Sequence, residues 1–281
     1  MSRPPLRALG LVVGFGVHPV LRGIDLVVPD GSRLALLGAN GSGKTTLLRT
    51  LAGAVRPDAG VVEVAGRELV HHRAGLRAHR QLVQLVTQDP DDQLFAADVC
   101  RDVSFGPLNL GLSEGVVRAR VAHALSVLSI EDLAERPIHE LSYGQRKRVA
   151  IAGAVAMEPQ VLLLDEPTAG LDPRGVDEMV IAVEGLLAEG TTVVISTHDV
   201  DFALWWADSV AVLADGRLRH GSPPELLCDA ELIDVARLRR PIVSQVAAEL
   251  GLSALEIGDI PALVAAIRQS CGVGVKQVVT P

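Results

Sequence analysis

The stretch Gly38-Ala39-Asn40-Gly41-Ser42-Gly43-Lys44-Thr45 decides the reading of this chain. It follows a short apolar run, Arg33-Leu34-Ala35-Leu36-Leu37, and opens a segment from Lys44 to Ala54 with helical patterning. Strand, glycine-rich turn and helix in that order make a phosphate-binding loop. The glycines let the backbone curl until successive N–H groups point at phosphate oxygens, and the N-terminus of the helix adds positive potential. Lys44 is placed to reach the β and γ phosphates, and Thr45 to offer a hydroxyl to Mg2+. Thr46 completes the nucleotide-binding set. Lysine occurs only at positions 44, 147 and 276, so its place in the motif is no accident of composition.

Outward from this loop, a second pattern supplies carboxylates. Val161-Leu162-Leu163-Leu164 reads as a strand buried on both faces, and it delivers Asp165 and Glu166 at its C-terminal end. Ligands of open α/β sheets bind at that end. Asp165 is placed to hold a magnesium water shell, and Glu166 to take a proton from an attacking water. Thr192–Ser196 is another unbroken apolar run of the parallel-strand kind. Leu6–Val13, Ile24–Val28, Val61–Val64 and Arg80–Val86 also read as strands, and Val210–Leu213 with Arg217–His220 as a hairpin around Ala214-Asp215-Gly216. The pattern from Asp98 to Met157 is helical. After about residue 225 the composition becomes that of a helical appendage, with its best helix at Ile242–Leu250 and a second starting near Pro261. The expected fold is α/β: a P-loop NTPase core with a mixed sheet, a helical insertion subdomain at about 95–155 within a domain spanning 1–225, and a short C-terminal helical tail at 226–281.

Composition narrows the function classes. Of the 281 residues 48% are apolar, enough for a large buried core. Aromatics make up only 2% and the net charge is −8, which argues against a nucleic-acid binder. Cys100, Cys228 and Cys271 are far apart and odd in number, so neither a disulfide framework nor a zinc site is expected. No apolar run reaches the ~18 residues of a membrane span. Arg3 and Arg7 before Ala8–Val17 resemble a signal peptide superficially, but a first strand is the better reading. His71-His72 with His79 reads as a solvated loop, since no carboxylate or cysteine is suitably spaced for a metal. Arg146-Lys147-Arg148 reads as a solvated helix face.

Leu141-Ser142-Tyr143-Gly144-Gln145 is on spacing alone a capped helix start. Lying about twenty residues before Asp165-Glu166, however, Ser142–Gln145 resembles the signature sequence of the ATP-binding-cassette ATPases. Gln88 after a strand, the run Asp165-Glu166-Pro167-Thr168-Ala169-Gly170-Leu171-Asp172, and His198 after Val193–Thr197 resemble, in order, that family's Q-loop, its Walker B and D-loop, and its H-switch. The resemblance covers about residues 6–225. It implies ATP as the nucleotide, with Thr45, Gln88 and Asp165 serving Mg2+, Glu166 as general base and His198 contacting the γ-phosphate. It further implies that Ser142, Gly144 and Gln145 complete the site of a second ATPase subunit, in a homodimer or heterodimer, and that Asp172 joins the nucleotide-binding set. Phe15 stands where the family places an aromatic ring against adenine. Tyr143 replaces the commonest glycine of the signature, and Phe15 lacks the hydroxyl of the more usual Tyr.

Gln88-Asp89-Pro90-Asp91-Asp92-Gln93-Leu94-Phe95, then Val103–Gly111 and Arg146–Gly153, resemble the ATPases of energy-coupling-factor importers, particularly the cobalt branch. That resemblance implies a peripheral ATPase on the cytoplasmic face of the cell membrane, partnered by an integral permease subunit and a substrate-specificity subunit. It would power uptake of cobalt, nickel or a vitamin. Asp91, Asp92 and Gln93 are expected on the cassette surface near the magnesium site, where a permease arginine could meet the carboxylates. A soluble cassette ATPase not coupled to transport is the alternative from another class, and a kinase-like P-loop enzyme a weaker one.

Overall fold

The computed structural model describes residues 6–252 and 260–270. Arg3, Cys271 and residues 253–259 and 271–281 of the 226–281 tail lie outside them. Two sheets form the body. In the first, β1 (Leu6–Phe15) pairs antiparallel with β2 (His18–Val28) and with β4 (Ala59–Val64), which carries the short β5 (Arg67–Glu68) at its edge. The second contains β3 (Arg33–Leu37), β6 (Val83–Val86), β7 (Val161–Asp165), β8 (Thr192–Thr197), β9 (Ser209–Ala214) and β10 (Arg217–Gly221). Its order is β10-β9-β3-β8-β7-β6, parallel throughout except for the β9–β10 hairpin. The apolar runs are unbroken because both faces are covered, one by helices and the other by the Lys44–Leu51 helix and the antiparallel sheet.

The helices are α1 (Lys44–Leu51), α2 (Arg73–Leu82), α3 (Val99–Asn109), α4 (Glu114–Val127), α5 (Tyr143–Val155), α6 (Pro173–Ala188), α7 (Val200–Trp206), α8 (Pro223–Leu227), α9 (Ala230–Val235), α10 (Ile242–Glu249) and α11 (Ile260–Ser270). Along β7, Leu162 and Leu164 enter a core shared with α3 to α6, while Val161 and Leu163 enter a second core shared with α1 and the antiparallel sheet. A third apolar cluster packs α7, α8 and α9 against Ala35 and Leu37 of β3 and Val210 and Val212 of β9. This layering puts the C-terminal ends of β3, β8 and β7 side by side at one edge. No described helix is long and apolar enough to cross a membrane.

Two expectations are corrected here. Arg80–Val86 is not one strand: α2 runs through Leu82 and only Val83–Val86 is extended. His72 caps that helix, its ring nitrogen accepting from the Gly75 N–H, a role histidine seldom signals in sequence. The histidine reading holds for His71 and His72, which lie in the loop before α2 with His72 exposed, but not for His79. His79 is buried on α2 with Nε2 2.7 Å from the Leu51 carbonyl oxygen, and burial holds its pKa below the usual value.

Candidate active site

The loop after β3 is shaped by its glycines. Gly43 enters α1 at φ 108°, a conformation other residues avoid, and a side chain on Gly38 would meet the Leu213 carbonyl oxygen and Ser42 Oγ at 2.6 Å. The first turn of α1 holds no acidic residue and has no side-chain cap, so its N–H groups remain available to an anion. Lys44, only 6% exposed, turns back over the loop. Its Nζ donates to the Gly38 carbonyl at 2.7 Å and lies 3.5 Å from Glu166 Oε1.

At the end of β7, Asp165 accepts the Thr45 hydroxyl at 2.7 Å on Oδ2 and the Ser196 hydroxyl on Oδ1. Glu166 follows at φ 48°, a left-handed conformation that costs a non-glycine residue on the order of 1–3 kcal/mol and persists only where neighbours enforce it. Its N–H is held by Ser196, and its carboxylate lies 3.1 Å from His198 Nδ1. The carboxylate is thus almost fully buried between two cationic or polarisable partners, which aim it into the cleft rather than into bulk water.

One cleft of about 480 Å³ gathers Phe15, Ala39, Asn40, Gly41, Gly43, Lys44, Thr45, Thr46, Gln88, Asp165, Glu166 and His198. Phe15 ends β1 more than half exposed, its ring free to stack. Ser42 borders a neighbouring cavity, and its Oγ is buried with no hydrogen-bond partner, an orphan hydroxyl that an incoming phosphate oxygen would satisfy. The donor set therefore fits a nucleoside triphosphate. The hydroxyl of Thr45 beside the Asp165 carboxylate is a hard oxygen pair suited to magnesium.

The signature residues are elsewhere. Ser142, Gly144, Gln145 and Asp172 line a separate cleft of about 380 Å³ with Leu171 and Arg174, and it shares no lining residue with the first. Ser142 and Gln145 form a capping box at the start of α5, and Asp172 caps α6 by accepting from the Gly175 N–H.

Arg146-Lys147-Arg148 is not a solvated face. Lys147 is 4% exposed and donates to three carbonyl oxygens, Arg146 lies 2.9 Å from Asp91, and Arg148 pairs with Glu178. Sequence periodicity hid this, because the carbonyls that satisfy Lys147 belong to a turn nineteen and more residues away. Gln93 likewise turns inward, accepting from the Thr87 N–H and donating to the Leu85 carbonyl. Ser196 was legible only as the polar end of an apolar run. Its adjacency to β7 is what gives it both Asp165 and Glu166.

This loop, the carboxylate pair and His198 at the C-terminal ends of adjacent strands define an ATP-hydrolysing P-loop protein. The model of the ABC transporter family matches residues 21–169. A cobalt import ATP-binding protein, CbiO of Rhodobacter capsulatus, is 52% identical over 87% of this chain and 88% of its own. An energy-coupling factor transporter ATP-binding protein, EcfA of Methanosphaera stadtmanae, is 46% identical over 80% and 81%. The solved cbiO1 of Clostridium perfringens, part of the ABC transporter complex cbiONQ, superposes with TM-score 0.76 at 39% identity, covering 89% of this chain and all of that one. The chain belongs to the ABC transporter family as an ATP-binding ATPase subunit.

Proposed function

We propose that this chain is the ATPase motor of an energy-coupling-factor type importer, taking up a transition-metal ion such as cobalt or nickel, or a vitamin. The observation that carries the reading is the division of the site. Loop, carboxylates and His198 share one cleft, while Ser142, Gly144, Gln145 and Asp172 occupy another. A second ATPase subunit, placed head to tail, would bring its signature cleft over this chain's phosphate loop, giving two composite sites per pair. All motif residues are present here, so a homodimer would hold two complete sites.

Within each site Lys44, Ser42 and the N–H groups of the loop and α1 would grip the phosphates, and Phe15 would stack on adenine. Thr45, Asp165 and Gln88 would hold Mg2+, which when bound supplies positive charge to neutralise the phosphate oxygens. Glu166 takes the proton of the attacking water, and His198 steadies both that carboxylate and the γ-phosphate. Residues 1–225 would form the cassette, with 95–155 as its helical subdomain, and 226–281 an appended tail. The cassette would sit peripherally on the cytoplasmic face of the membrane, on a permease subunit with a separate specificity subunit.

The test is co-expression with candidate permease and specificity subunits, detergent purification, and reconstitution into vesicles with ATP. Uptake of cobalt, nickel or a vitamin that needs ATP and stops with Glu166→Gln is the expected result. An ATPase that neither co-purifies with a membrane subunit nor drives any uptake would overturn the reading.

A further inference from the structure

The helix that carries the signature and the turn that carries Glu166 are joined by one buried cation. Lys147 lies on α5, five residues after Ser142, and its side chain is enclosed. Its Nζ donates to the carbonyl oxygens of Glu166 at 2.9 Å, Pro167 at 3.1 Å and Ala169 at 2.7 Å. All three ammonium protons are thereby used on a single turn of backbone. The same turn holds Glu166 in its left-handed conformation, and its next residue, Gly170, packs against Tyr143, where an added Cβ would come within 3.1 Å of the ring. Tyr143 also directs its hydroxyl at the Gln88 carbonyl oxygen, 3.5 Å away. The first turns of α5 are thus in contact with both Gln88 and the catalytic turn.

A lysine is rarely placed like this for stability alone. Burial lowers its pKa to about 8 although Glu166, Asp89 and Asp165 favour its charge. The enclosure works against the charge, yet three carbonyl oxygens converge on the ammonium.

We propose that Lys147 is a positioning residue for hydrolysis: it ties the backbone of the 166–169 turn to the signature helix, so that engagement of the signature cleft sets the place of the Glu166 carboxylate in the same chain. The inference rests on the composite-site reading above. In the pair, each signature meets the nucleotide held by the other subunit. Lys147 then makes the state of one site felt at the base of the other, over about one and a half turns of helix. The lysine touches neither nucleotide nor water. It acts through Glu166.

The experiment uses the full-length chain, purified with its membrane partner, as Lys147→Met, Lys147→Gln and Glu166→Gln, with the double variant Lys147→Met/Glu166→Gln. Met keeps the buried volume and removes every donor, whereas Gln restores two N–H donors. The expected result for Lys147→Met is a loss in kcat of ~10²-fold, the scale of a displaced catalytic group, with nucleotide affinity nearly unchanged. Gln should regain part of the rate. In the Glu166→Gln background Lys147→Met should cause no further loss, because the group it positions is already disabled. Unchanged kcat in Lys147→Met overturns the proposal, as does a further loss in the double variant. If Lys147→Met does not fold, Lys147→Leu, which also lacks every donor, takes its place in the cycle under the same criteria. Failure of the underlying reading is separate: it would appear as a Glu166→Gln chain that shows no ATP-dependent pairing by size-exclusion chromatography.

Discussion

Thr45 donates its hydroxyl to Asp165 at 2.7 Å, joining the first turn of α1 to the end of β7 across 120 residues. The pair ties the phosphate loop to the carboxylate strand and sets two hard oxygens side by side. Asp165→Asn keeps the acceptor for Thr45 and removes the charge. We expect the magnesium concentration that gives half-maximal ATPase activity to rise at least ~10-fold, the loss of a charge-assisted contact of about 1.4 kcal/mol or more. Magnesium titrations of wild type and variant, read by nucleotide hydrolysis, check this. An unchanged midpoint would remove Asp165 from the magnesium set.

Glu166 faces Lys44 at 3.5 Å and His198 at 3.1 Å, and its backbone is pinned by Ser196. Glu166→Gln retains the shape and removes the basic oxygen. Hydrolysis should fall by ~10²–10⁴-fold, the usual worth of a general base, while ATP still binds and holds subunits together. Single-turnover hydrolysis and size-exclusion chromatography with ATP separate the two effects.

Lys44→Ala removes the ammonium that folds over the loop onto Gly38. ATP affinity or turnover should collapse while the far-UV circular dichroism stays that of the folded wild type, because no apolar core group is lost. Normal ATPase activity in the folded variant would reject the phosphate-loop reading.

How much of this was readable in the sequence follows from where each signal lies. The phosphate loop, β7 and β8 were legible because their patterns are local: glycines at fixed spacing, and apolar runs too long for a half-exposed strand. Gln88, Phe15 and His198 were placed only through resemblance, and all three reach the same cleft. Helix α2 was missed because its cap is a histidine and its arginine-rich body carries Gly75 in the first turn. Lys147 was misread because its partners are backbone carbonyls of a distant turn. No side-chain pattern announces such partners, and a charged triplet on a helix normally faces water.

Lys147 also gives a pH dependence of stability. Its pKa in the fold, about 8, is lower than the usual 10.5 because burial disfavours the charge. Below pH 8 folded and unfolded chains both carry the proton, and the cost of enclosing it weighs fully on the fold. Between about 8 and 10.5 the folded chain sheds the proton first, so the unfolded chain binds more protons and stability from this group rises with pH. Urea unfolding across that window should show a less positive slope for Lys147→Met than for wild type. Equal slopes would mean that the lysine titrates as if exposed.

The last prediction concerns Asp91 and Asp92, which follow Gln88 on a short 3-10 turn over Pro90–Asp92. The two carboxylates are not equivalent. Asp91 Oδ1 lies 2.9 Å from Arg146 Nε, so its nearest cation comes from its own chain. Asp92 is exposed and has no ion-pair partner among the described residues. Arg146 is largely buried but also donates to the Leu141 carbonyl oxygen, so losing the mostly exposed Asp91 carboxylate costs about 1 kcal/mol or less. Asp91→Ala should therefore leave unfolding and ATP binding almost as they were. An arginine presented by a membrane subunit would instead find its free acceptor in Asp92. Burying such a charge pair at an interface and then removing one member costs roughly 2–5 kcal/mol, enough to dissociate a complex at micromolar concentration. Asp92→Ala should thus lose co-purification with the membrane subunit and ATP-driven uptake, with basal ATPase activity preserved. Asp91→Ala should retain most of both. The measurement is the yield of membrane subunit recovered per ATPase subunit, both variants and wild type in one detergent. Equal recovery from all three would return Asp92 to the solvent, and a loss confined to Asp91→Ala would show that Arg146 yields its partner when the membrane subunit docks.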